Sequence, residues 1–80
     1  MQNEEPSIYF TQPESLSEGD IVWIYEGVLE LVGPLFVDHY GVIGHGSNKK
    51  LIYKLFDTST GAWYSSEKKW LRVLKEVTCN

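Results

Sequence analysis

Three short apolar runs, Ile21–Tyr25, Val37–Ile43 and Leu51–Phe56, are set apart by clusters of turn-forming residues: SEGD before the first, GHGSN between the second and third, DTSTG after the third. Gly, Asp, Asn and Ser supply turn conformations at little cost. Runs of this length suit strands rather than long helices, and no helix longer than about three turns is expected. In the first run a period of two puts Val22 and Ile24 on one face and Ile21, Trp23 and Tyr25 on the other. Ala62 is the only alanine, whereas branched and aromatic side chains are plentiful. Such side chains fit a pleated, half-buried surface. The expected class is all-β and mainly antiparallel.

Extending this pattern predicts strands near residues 20–26, 37–45, 50–57, 61–65 and 70–75, with Gly41 marking a bulge or close backbone approach. The segment SSEKKWLRVLKEV reads in two ways. It can form a helix from Ser66, or a single helical turn followed by a last strand from Trp70. The second is preferred, because four strands alone cannot close a barrel. Eighty residues make one domain near the lower limit of independent folding. The expected division is a flexible acidic arm over residues 1–18, one barrel over 19–77 and a short tail over 78–80.

The order GDIVWIY, long connection, HYGVIGHG, LIYKLF, hairpin, AWYS, helical turn, WLRVL resembles a Src-homology-3-type small barrel of five strands, with the layout of Tudor-like modules. That resemblance implies a binding module. A more local likeness joins DHYGVIG and LIYKLF to the β-core of NlpC-type peptidases and lecithin retinol acyltransferases. In those families a histidine opening such a strand is the general base for a cysteine thiolate, and His39 matches it. No cysteine precedes His39, Tyr53 stands where a second polar partner is expected, and Cys79 lacks the acyltransferase context. A degenerate papain-like core using His39 is therefore an alternative, and the favoured expectation is no enzyme and no catalytic residue.

Four rings, Trp23, Tyr25, Tyr40 and Trp63, are the candidate ligand-binding set. An open aromatic cage would attract a cation through the ring faces, with Asp38 or Glu26 adding charge. The same rings can instead complete a small core. Asp38, His39 and His45 lack a compact metal-ligand spacing, so neither metal nor cofactor is expected.

The chain carries a formal net charge of −4. Up to Asn48 there are eight acidic groups and no Lys or Arg; from Lys49 onward there are seven basic and three acidic groups. Net acidity argues against a generic nucleic-acid binder, although KKLIYKLF and SSEKKWLR interleave basic and aromatic residues as single-strand binders do. No signal-peptide pattern or bilayer-length apolar run occurs, and cytoplasmic residence is the default expectation.

The connection Glu26–Phe36 is unusually apolar. From Val28 to Phe36 it offers Val28, Leu29, Leu31, Val32, Leu35 and Phe36 against the single charge of Glu30. Loops run over the surface and are polar, because their backbone stays hydrated. One explanation is a strand tucked under the N-terminal arm. The preferred one is an interface in which Leu29, Leu31, Leu35 and Phe36 contact a second copy or another protein.

Overall fold

The computed structural model describes residues 7–27 and 30–77. Within them the chain is all-β: β1 (Ser7–Thr11), β2 (Ile21–Gly27), β3 (Glu30–Ile43), β4 (Lys50–Phe56), β5 (Trp63–Ser66) and β6 (Leu71–Val77). A 3₁₀ turn, Lys68–Trp70, leads into β6. All pairings are antiparallel, in the order β1-β6-β2-β3-β4-β5.

Two expectations change. Ser7–Thr11, expected within a flexible arm, forms a strand on β6 with Tyr9 opposite Lys75. That strand is the sixth where five were expected, and the apolar connection is also largely strand, merged with the expected 37–45 strand into β3. Tyr25 faces Leu31, Ile24 faces Val32, and Val22 faces Leu35. Pairing with β2 satisfies the backbone groups that a loop would hydrate, so an apolar sequence is tolerated there. Val28 and Leu29 lie outside the described residues.

β3 is 14 residues long because it serves two ladders in turn. Its first half pairs with β2 and its second half with β4. Phe36 is the pivot, standing between Ile21 and Phe56. At that point Gly19 N–H donates to the Val37 carbonyl (2.8 Å) and Val37 N–H donates to the Asp20 carbonyl (2.9 Å). The SEGD turn is closed by Ser17 N–H donating to the Asp20 carboxylate (2.8 Å). The bulge expected at Gly41 falls instead at Asp38, between Val37 and His39, while Gly41 pairs regularly with Ile52.

Alternation sends one side chain in two to a shared inner face. Val22, Ile24, Leu35, Val37, Tyr53, Leu55 and Leu71 are buried there, and Leu16 from the β1–β2 connection joins them. Val32, Tyr64 and Val73 pack around this cluster. Lys68 Nζ donates to the Glu14 carbonyl, tying the 3₁₀ turn to the same connection. Among the described residues, no helix is long and apolar enough to cross a membrane.

The core does not extend along the whole β3–β4 hairpin. Every residue from Asp38 to Leu51 is exposed. This arm helps give the chain a radius of gyration of 15.2 Å, against about 12 Å for a compact chain of its length.

Candidate functional site: an exposed apolar hairpin arm

The four candidate rings stand in four separate contacts rather than one cage. On the outer face of β2, Trp23 meets Phe10 edge-on, with centroids 4.9 Å apart at 74°. Tyr25 shares that face, and the Arg72 guanidinium already lies 4.7 Å from its ring centroid. Tyr40 leans on Tyr53 at 5.2 Å. Trp63, on β5, packs against Phe56 at 4.7 Å. Cross-strand register explains the Tyr40–Tyr53 and Trp63–Phe56 contacts, because partners directly opposite share a face. Trp23 faces Arg72, Tyr40 faces Tyr53, and Trp63 faces Phe56.

The expected interface set is also divided. Leu35 is fully buried in the chain's own core, Leu31 is half-buried, and Phe36 reaches the surface. Leu29 is outside the described residues. Phe36 belongs instead to an apolar row across four strands: Ile21, Phe36, Phe56 and Trp63.

His39 Nδ1 lies 2.7 Å from Asp38 Oδ2, and both side chains are at least half exposed. Its cross-strand neighbour is Lys54, with Tyr53 one position away opposite Tyr40. Cys79 lies outside the described residues, so the proposed thiol partner of His39 has no described geometry. Among the described residues, no group of three or more His, Cys, Asp or Glu side chains is placed to hold a metal.

Of the exposed apolar residues on the arm, the sequence pointed to Tyr40 alone. Val42 is 63% exposed, Ile43 58%, Tyr40 45% and Leu51 40%. Tyr40, Val42 and Leu51 continue the inner face beyond the end of the core, while Ile43 lies on the outer one. A shallow hollow of about 160 Å³ is lined by His39, Tyr40, Gly41, Val42, Ile43, Ile52 and Lys54. Gly41 leaves its floor bare, since a β-carbon added there would touch nothing within 4 Å.

The backbone of the arm is open as well. β2 reaches only Phe36 on one side of β3, so the outer edge of β3 from Asp38 to Ile43 has no strand partner among the described residues. The GHGSN turn at the tip is closed by Asn48 N–H donating to the His45 carbonyl (2.9 Å). A second hollow, about 280 Å³, lies between β1, β6 and the β1–β2 connection; Glu14, Asp20 and Lys75 are among its lining.

The chain matches no protein-family model, no curated protein and no solved structure.

Proposed function

We propose that this chain is a non-catalytic binding and assembly module whose β3–β4 arm docks against protein. The observation that carries this reading is the coincidence, on one hairpin, of exposed Tyr40, Val42, Ile43 and Leu51 with an unpaired strand edge. Side chains of this kind favour burial, and a free edge offers main-chain hydrogen bonds to an incoming strand. Scattered apolar residues on a surface are ordinary, but contiguous ones mark interaction sites.

The framework we favour is of the Src-homology-3 type. Its support is the long β3 shared between two ladders, the pairing of β2 with β6, and the 3₁₀ turn before β6. Such a framework holds the arm rigidly at one end of the core.

The test is photo-crosslinking in cells that express the chain, with Val42→p-benzoylphenylalanine and, as a distant surface control, Thr58→p-benzoylphenylalanine. Protein adducts at position 42 and none at position 58 are expected. No adduct at 42, or equal adducts at both positions, would overturn the reading.

A further inference from the structure

We infer that the occupant of the arm is a second copy of this chain, joined by antiparallel pairing of the free β3 edges around a two-fold axis at Gly41. This deepens the docking reading above and rests on it.

The edge itself is the first argument. Sheet edges are ordinarily guarded by Lys, Pro, inward charges or extreme shortness. From Tyr40 to Ile43 the β3 edge has no charge and no proline. The β4 side of the same arm carries Lys49 and Lys50.

Self-complementarity is the second. Residues directly opposite in an antiparallel pair share a face, so a two-fold axis perpendicular to the sheet must pair residues of equal parity. Centred on Gly41, it sets Tyr40 of each copy opposite Val42 of the other, twice. On the outer face His39 meets Ile43 of the other copy, and the hollow over Gly41 has room for the Ile43 side chain beside it. No like charges stand opposite one another in this register. Asp38 of each copy is carried toward the other's hairpin tip, where Lys49 and Lys50 lie, bringing the acidic part of one chain to the basic part of its partner.

The experiment uses the full chain carrying Cys79→Ser, at about 100 micromolar, far above the roughly micromolar dissociation constant of a modest dimer. Sedimentation should give twice the 9.2 kDa chain mass, and Val42→Lys should return it to monomer with an unchanged β-type dichroism spectrum. Adding Gly41→Cys should yield a disulfide-linked dimer under mild oxidation, since opposed α-carbons at about 4.5–5.5 Å fall within disulfide reach. Tyr9→Cys, on the other apolar edge, should not cross-link. A monomer at this concentration overturns self-pairing, as does a dimer that cross-links at position 9 and not at 41. Cellular adducts at Val42 to other proteins would then leave the docking reading standing, whereas their absence would remove it too.

Discussion

Trp23 crowds the backbone at Gly33: a β-carbon there would stand 2.7 Å from Cδ1 and 2.9 Å from Cγ of the indole, and 3.0 Å from the Val22 carbonyl oxygen. None of these atoms is the free end of a flexible chain. Gly33→Ala should therefore cost about 1–3 kcal/mol, the usual range for overpacking. Urea unfolding of Gly33→Ala, Trp23→Ala and the double variant checks this. The double variant should be more stable than the sum of the two losses implies, because the clash is removed with the ring.

A second pair of glycines separates backbone need from mere smallness. Gly44 has φ of +109°, and a β-carbon on it would run into the Asn48 carbonyl across the turn. Gly41 has open space around it and no such dihedral. Gly44→Ala should lose about 1–3 kcal/mol through strain. Gly41→Ala should be neutral or gain up to about 1 kcal/mol by restricting the unfolded chain. Thermal melts of the two variants side by side decide it.

Leu51 and Leu55 lie on one face of β4, yet Leu55 is fully buried and Leu51 is 40% exposed. Leu55→Ala should cost about 2–5 kcal/mol. For a chain this size total stability is about 4–12 kcal/mol, so the loss is a large fraction of the whole. Leu51→Ala, measured in dilute protein by the same denaturant titration, should stay within about 1 kcal/mol of the parent. Equal losses at both positions would mean that the core reaches into the arm.

The β4–β5 turn depends on one carboxylate. Asp57 Oδ1 accepts from the Ser59 N–H at 2.8 Å and from the Thr60 N–H at 3.4 Å. Asp57→Ala removes both and should lose about 0.5–1.5 kcal/mol. Asp57→Asn keeps a carbonyl acceptor and should retain most of that. Chemical denaturation with Trp fluorescence reads the difference.

Much of the sheet was legible because its signals are local. The alternation of Val22 and Ile24 against Trp23 and Tyr25, and the SEGD, GHGSN and DTSTG turns, point to strands without any knowledge of partners. The helical turn before a last strand was legible too, from SEKK followed by WLRVL. The stretch Glu30–Phe36 misled for a physical reason. Gly33–Pro34 reads as a turn, and proline demotes a run from strand to connection. In the fold these two residues fall in the register shift opposite Trp23, where no ladder donor is required. Period and turn chemistry then say nothing more. Nothing in DHYGVI distinguishes a strand with two neighbours from one with a bare edge, since that depends on where β2 ends. The candidate rings stand apart for the same reason: Trp23 and Trp63 share a residue type, but the sheet order sets Trp23 against Phe10 of β1 and Trp63 opposite Phe56.

Ser7 and Val77 are cross-strand partners, so the ends of the described sheet lie side by side. A short glycine-rich link between these two positions would span only the gap between neighbouring strands. New termini could then be opened in the exposed Thr58–Gly61 segment, away from every strand pairing, and the permuted chain should keep the same ladders. The same adjacency means that any two bodies fused ahead of Ser7 and after Val77 would leave from one end of the sheet as neighbours, held apart by no more than the width of a strand.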